Sequence, residues 1–359
     1  MTDTKLLTNA SLSLFPWYDK NHRELPWRKD CDPYHIWISE IMLQQTRVEA
    51  VKEYYRRFLT ELPNIQALSR VSDEALMKLW QGLGYYNRAS NLKKAAIRVV
   101  EEYNGTFPSD YESILSLPGI GSYTAGAIGS ISFQLPTPAV DGNVLRIVSR
   151  LTDSKKNIDL PQVKKEIENT LREVYQHISA PDASNSGKLT QALMELGATI
   201  CIPNGAPHCD RCPWNDLCLS KKRGTISERP VRSPKKGRRI EDRAVFILYC
   251  DDHVVIRKRP PKGLLANLWE FPNVLAEKES IHSMQDALLY AEREGYHPSG
   301  AAMQTCYTHI FSHVEWRMTA YFIEIRPDQN LEFFPSFSEI ESDYALPSAF
   351  RPFWDLLKN

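Results

Sequence analysis

Apolar residues recur three and four positions apart along most of the first 220 residues, a spacing that predicts amphipathic helices. The clearest cases are EAVKEYYRRFL (49–59), SDEALMKLWQGL (72–83), NLKKAAIRVVEEY (91–103) and LPQVKKEIENTLREVYQHI (160–178). Pro, Gly and Asn separate them, and Ser72 and Asp159 supply the short polar side chains that start helices. A strip from about 221 to 240, KKRGTISERPVRSPKKGRRI, breaks the pattern with two prolines and many charges, and reads as a linker. Beyond it the period shortens. RAVFILYCDDHVVIRKRP reads as two β-rich runs turning at Asp251-Asp252, and MTAYFIEIR alternates like a further strand. One helical stretch, SMQDALLYAEREG, lies between them. The expected architecture is an all-α domain over 1–222, a basic linker over 223–240 and a smaller α+β domain over 241–359.

A length of 359 residues supports two domains of this kind. A hydrophobic content of 42% with 25% charged residues argues against long disorder and against a collagen or coiled-coil design. No apolar run approaches the roughly 18–20 residues of a membrane helix, and MTDTKLLTNASLSLFPW lacks a signal-peptide pattern, so a soluble, cytoplasmic protein is expected. A monomer is expected as well. The 44 basic and 44 acidic residues cancel, but unevenly along the chain. Residues 219–243 hold ten Lys or Arg against three acids, a local net of +7. Such a run is either a solvated linker or a strip that contacts phosphate.

Four of the seven cysteines, Cys201, Cys209, Cys212 and Cys218, fall within 18 residues as Cys-x7-Cys-x2-Cys-x5-Cys. Without an export signal, that clustering points to metal ligation rather than disulfides. Four thiolates can hold a tetrahedral zinc or a cubane iron–sulfur cluster; only one short pair is present, which favours the cluster. Cys31, Cys250 and Cys306 stand alone among apolar or aromatic neighbours and are expected as buried free thiols.

LPGIGSYTAGAIGS (117–130) joins Pro118, Gly119 and Gly121 to a helix of small residues. A glycine turn at a helix start directs backbone N–H groups toward a phosphate. The full pattern is that of the helix–hairpin–helix of many DNA-binding proteins. Two carboxylates flank it. Glu40 lies in the apolar HIWISEIMLQQTR, where burial would raise its pKa and suit it to general acid work. Asp141 precedes GNVLRIVSRL and serves equally as a helix N-cap or as a catalytic group. One protonated and one ionised carboxyl group are what cleavage of a glycosidic bond requires.

LPGIGSYTAGA followed by VDGNVLRI and the four cysteines resembles the endonuclease III superfamily of DNA glycosylases. LPWR (25–28), WISEIMLQQTRV (37–48), WQGLGYYNRASNL (80–92), GLLANLWEFP (263–272) and FSHVEW (311–316) resemble the adenine DNA glycosylases of the MutY type. The resemblance spans both domains. It implies a [4Fe–4S] cluster on the four cysteines, and removal of adenine mispaired with 8-oxoguanine or guanine in duplex DNA after base flipping. It places the general acid at Glu40, a sugar-stabilising carboxylate at Asp141 and a polar partner at Asn143. Bifunctional relatives carry lysine where this chain has Tyr123; tyrosine forms no Schiff base, so no efficient lyase activity is expected. Trp27, Arg28 and Gln191 match residues around the extruded adenine. Gln45, Thr46, Leu83 and Tyr85 match contacts and wedges in the duplex. Gly119 and Gly121 match the phosphate hairpin, with a monovalent or calcium ion.

The C-terminal domain resembles a Nudix fold whose helix, SMQDALLYAEREG, lacks the acidic set that binds magnesium, so pyrophosphatase activity is not expected. The resemblance instead gives Phe311, Ser312 and His313 the examination of 8-oxoguanine, although the triplet also suits a plain inter-strand turn. A serine hydroxyl donates and accepts, and so can sense the N7–H of the oxidised base. Two features depart from the family. The first cysteine spacing is one residue longer than usual, and the loop IPNGAPH carries no Lys or Arg for phosphate. A lyase acting on oxidised pyrimidines, a non-catalytic iron–sulfur DNA binder and a nucleotide pyrophosphatase are the competing classes.

Overall fold

The computed structural model describes residues 3–234, 237–326 and 333–358. They form two compact units, one of residues 1–70 and 91–234, the other of 71–90 and 235–359.

The first unit is helical. The four expected helices are present as Val48–Glu61, Asp73–Trp80, Asn87–Glu102 and Pro161–Ser179, the second of them in the other unit. Ser72 caps its helix as expected, its hydroxyl accepting from Ala75 N at 3.1 Å. Asp159 does not. Leu160 is the N-cap before Pro161, and the Asp159 carboxylate accepts instead from Ser233 N at 2.9 Å. The Pro33–Leu43 helix starts at Asp32, whose side chain accepts from Tyr34 N at 2.8 Å, with Pro33 suited to the first turn.

Small residues set how closely the central helices approach. Ser122–Phe133 packs against Pro33–Leu43 and Asn185–Thr199. A Cβ at Gly126 would lie 2.2 Å from the Pro138 carbonyl oxygen, so only glycine lets the following chain return here. Leu14, Val174, Tyr175, Leu189, Leu196 and Trp214 form the centre of an adjoining core.

The basic strip is built into this unit as far as Pro234. Arg229 is buried and pairs with Asp153 at 3.0 Å, while Ile158 N donates to Val231 O at 3.1 Å. Lys235 and Lys236, which belong to the expected linker, lie outside the described residues.

The second unit carries the strands β1 (Arg239–Cys250), β2 (His253–Val254), β3 (Arg257–Lys258), β4 (Trp269–Glu270), β5 (Asn273–Leu275), β6 (Pro298–Ile310) and β7 (Val314–Ile325). The sheet runs β2-β1-β7-β6, with β5 also on β1, and β3 pairs with β4. Parallel β1 and β7 form its centre, from Arg239 opposite Val314 to Tyr249 opposite Glu324. The expected turn at Asp251-Asp252 joins β1 to β2. Met284–Arg293 is the expected helix, held by a capping box between Ser283 and Asp286. Alternation along β7 sends Trp316, Met318, Ala320 and Phe322 to one core and Tyr321, Ile323 and Ile325 to another.

Residues 71–90 fold with this sheet. Lys78 Nζ donates to the carbonyls of Ile340 and Tyr344 at 3.1 Å each, and Gln81 Nε2 to Leu346 O at 2.9 Å. No described helix is long and apolar enough to cross a membrane.

Candidate active site and cysteine module

Glu40 sits on the Pro33–Leu43 helix with 5% of its surface exposed. The helix is apolar on nearly every face, so the carboxyl group has little water to stabilise its charge. Burial pushes its pKa up to about 7, against a hydrogen bond from Tyr123 that lowers it; nearby Asp141 raises it and Arg28 lowers it. Tyr123 Oη donates to Glu40 Oε2 at 2.7 Å. Two segments 83 residues apart therefore meet at one carboxyl group, half protonated near neutral pH.

Asp141 is a helix cap, and its charge lies near enough to raise the pKa of both Glu40 and Tyr123. Its Oδ1 accepts from Asn143 N at 2.9 Å and Val144 N at 2.8 Å, and its Oδ2 accepts from Asn143 Nδ2 at 2.7 Å. Burial raises its pKa, and those three donors oppose the rise. The chain of contacts continues: Arg146 Nη2 donates to Asn143 Oδ1 at 2.9 Å, and Arg146 Nε to Cys201 O at 2.9 Å. A buried arginine thus joins the Asp141 carboxylate to the backbone where the cysteine module begins.

Trp27 is buried with its ring edge-on to Tyr55 at 5.5 Å. Arg28 is already engaged: its Nη2 pairs with Glu195 Oε2 at 2.8 Å and its Nη1 donates to Arg23 O at 3.1 Å. Tyr18 stands between Arg28 and Gln191, its ring 5.7 Å from the guanidinium and its hydroxyl donating to Gln191 Oε1 at 3.0 Å. Gln191, Tyr18, Ser130 and Lys188 line an open cavity of about 290 Å³. Glu195 is fully buried, accepts from both Arg23 and Arg28, and was missed from sequence. Its signal was the one that exposed Glu40, an acid inside an apolar helical stretch, here LMELGA.

Gln45 lies just beyond the Pro33–Leu43 helix, exposed, with φ +58°. A side-chain-bearing residue in that conformation is uncommon. Thr46 turns back, its hydroxyl donating to Gln44 O at 3.3 Å. Gly119 has φ +76°, and a Cβ there would lie 2.6 Å from Asn91 Cβ. Gly121 differs from expectation: its φ of −99° is open to any residue, and nothing lies within 4 Å of where its Cβ would be. Its lack of a side chain leaves the hairpin surface open, whereas Gly119 makes the turn.

In the second unit, Leu83 is 6% exposed and Tyr85, at φ +48°, is 45% exposed. Phe311, Ser312 and His313 form the turn from β6 to β7, closed by Phe311 N donating to Val314 O at 2.8 Å. Phe311 packs on Trp316 at 4.9 Å, while Ser312 and His313 are exposed, with Ser312 Oγ and His313 Nδ1 3.1 Å apart.

Cys201, Cys209, Cys212 and Cys218 line one pocket walled by Ile147, Leu196, Ile200 and Trp214. Burial pushes the Cys212 thiol up to about 12, and the three other sulfurs add to the rise. Arg150 Nη1 donates to Cys201 Sγ at 3.3 Å. Four thiols around a shared apolar space, with cationic Arg150 beside them, fit a polynuclear cluster that carries negative charge. The isolated cysteines contradict expectation: Cys31 and Cys306 are exposed and Cys250 half-buried, because they sit on a loop, the edge strand β6 and the end of β1.

The helical unit, with its glycine turn and paired carboxylates, is that of a helix–hairpin–helix base-excision enzyme. Residues 38–177 match the HhH-GPD superfamily base excision DNA repair proteins, and 244–356 match the NUDIX domain. The chain belongs to the adenine DNA glycosylase family. It is 34% identical to an adenine DNA glycosylase of Rattus norvegicus over 89% of this chain and 71% of the relative. Identity is also 34% to that of Buchnera aphidicola subsp. Schizaphis graminum (strain Sg), over 89% of this chain and 87% of the relative. A solved thermostable thymine-DNA glycosylase matches with a TM-score of 0.52 and 26% identity, over 62% of this chain and 97% of its own.

Proposed function

We propose that this chain is a monofunctional glycosylase that excises adenine paired with 8-oxoguanine or guanine in duplex DNA. The observation that carries the reading is the buried Glu40, held by Tyr123 and poised near neutral pH, beside an Asp141 fixed by three donors. Adenine must leave the base stack before these groups can reach it. Protonated Glu40 donates to adenine N7, the C1′–N9 bond breaks, and the base departs neutral. Asp141, ionised and immobile, opposes the positive charge that develops on the sugar. Ionised Glu40 then accepts a proton from the attacking water. Tyr123 occupies Glu40 Oε2, which leaves Oε1 for the proton in transit. Because Tyr123 has no amine, the abasic strand stays intact.

Other residues receive roles that rest on this reading. Arg28 and Gln191 contact the extruded adenine with Trp27 as a wall; Gln45, Thr46, Leu83 and Tyr85 hold the distorted duplex. The Gly119–Gly121 turn binds a phosphate with a monovalent or calcium ion, and the Phe311–His313 turn reads the 8-oxoguanine. Cys201, Cys209, Cys212 and Cys218 hold a [4Fe–4S] cluster, which when bound supplies four iron–thiolate cross-links and a one-electron couple. The chain acts as a cytoplasmic monomer. Single-turnover adenine release from a duplex with 8-oxoguanine:adenine, beside the same duplex with thymine:adenine, tests the reading. Fast release from the first alone is expected; no release from either by folded, metal-loaded protein overturns it.

A further inference from the structure

The turn that carries Tyr85 is held in an unfavourable backbone conformation. Gly82, Gly84 and Tyr85 have φ of +98°, +70° and +48°, so the chain from 82 to 85 visits the left-handed region three times. The two glycines enter it without cost to a side chain; Tyr85 does not, and a bulky residue there persists only if its surroundings hold it.

Arg88 supplies much of that hold. Its Nη2 donates to Leu83 O at 3.1 Å and to Gly84 O at 3.0 Å, so one nitrogen bridges both carbonyls of the turn. Its guanidinium lies 5.2 Å from the Trp80 ring centroid and 5.7 Å from that of Tyr85. Trp80 closes the arrangement from the other side, its indole Nε1 donating to Gly84 O at 3.2 Å. Arg88 is 9% exposed, whereas Tyr85 beside it is the exposed member of the group. Burial lowers the Arg88 pKa to about 10, which leaves it charged at neutral pH. The planar fork is what allows hydrogen bonding and ring contact at once; lysine would keep the charge and lose both the bridge and the flat face.

We propose that Arg88 is a positioning residue that fixes the Tyr85 ring in the attitude in which it inserts into duplex DNA. Arg88 touches neither base nor reacting atom; it acts through Tyr85. The proposal rests on Tyr85 being a wedge, and the experiment separates the two claims.

The measurement is single-turnover adenine release from an 8-oxoguanine:adenine duplex, with the fluorescence of a 2-aminopurine placed beside the lesion as a reporter of unstacking. Four full-length proteins are compared: wild type, Arg88→Lys, Tyr85→Ala and the double variant. Arg88→Lys and Tyr85→Ala are each expected to lower the rate by about tenfold at subsaturating protein, in keeping with the loss of one aromatic–base stack, and to weaken the fluorescence rise. In the Tyr85→Ala background, Arg88→Lys is expected to change the rate by no more than about twofold, because the residue it serves is gone. Effects that multiply would show Arg88 acting on something other than Tyr85 and overturn the proposal. An unchanged rate and signal for Tyr85→Ala would sink the wedge itself, and the proposal with it. Should Arg88→Lys fail to fold by thermal unfolding, Trp80→Phe removes the opposite bond to Gly84 O and is expected to show the same non-additivity; multiplication there counts equally against the idea.

Discussion

Tyr123 donates to Glu40 Oε2 across 2.7 Å, and this bond joins the helix after the glycine turn to the helix that carries the acid. It also lowers the pKa that burial has raised, so Glu40 settles near 7 rather than higher. A group with that pKa holds a proton for part of the time at neutral pH and can surrender it to a base.

The raised pKa has a thermodynamic sign. The unfolded chain releases the Glu40 proton near 4.5 and the folded chain near 7, so the folded state loses stability as pH rises through that window. Glu40→Gln removes the dependence. Its melting temperature is expected to match wild type near pH 5 and to exceed it at pH 8, by an amount worth up to about 3 kcal/mol. Thermal unfolding at the two pH values checks this, and equal differences at both would mean that Glu40 ionises freely.

Tyr123 also sets the fate of the abasic strand. Borohydride should trap almost none of the wild-type protein on DNA, because Tyr123 offers no amine to the sugar. Tyr123→Lys introduces one at the position where the phenol meets Glu40, and covalent trapping is expected to appear. Trapping in high yield by the wild type would contradict the monofunctional reading.

Glu195 holds Arg23 and Arg28 from a fully buried position. Burial raises its pKa, but the bonds from Arg23 and the charge of Arg28 outweigh that and leave it lowered. Stability from this group is therefore present above about pH 4.5 and lost as pH falls below it. Glu195→Ala leaves the half-buried Arg28 guanidinium without its carboxylate partner and is expected to cost about 2 kcal/mol in denaturant unfolding. It should also raise the KM for duplex more than it lowers kcat, since Arg28 would lose its orientation. Wild-type stability would show the cluster of charges to be dispensable.

The cysteine module is expected to carry four irons and four sulfides, with broad visible absorbance. Chelation under oxidising conditions should bleach the colour and loosen residues 201–218, read as faster proteolysis there. Stoichiometric zinc in a colourless, anaerobically prepared sample would contradict the cluster.

Much of this arrangement could be read from residue order. Helical period, the glycine turn and the acid at position 40 each left a local signal, because each is a departure from what its neighbours favour. Asp159 was misread because a helix start at Pro161 needs no side-chain cap, and the carboxylate was free to hold Ser233 instead. Cys31 and Cys306 were misread because apolar neighbours in sequence do not bury a residue on a loop or an edge strand. The Asp141–Asn143–Arg146–Cys201 chain and the Arg88 brace had no sequence signal at all, since both depend on where separate turns and helices come to rest. The folding of residues 71–90 with the sheet was hidden for the same reason.

The account centres on Glu40 as the acid, and the pH profile of single-turnover adenine release from 8-oxoguanine:adenine duplex tests it most directly. Wild type is expected to lose rate as pH rises past about 7, about tenfold per unit once Glu40 is mostly ionised, while Glu40→Gln releases no measurable adenine at any pH. Release by folded Glu40→Gln at near the wild-type rate, with the same fall above pH 7, would contradict it.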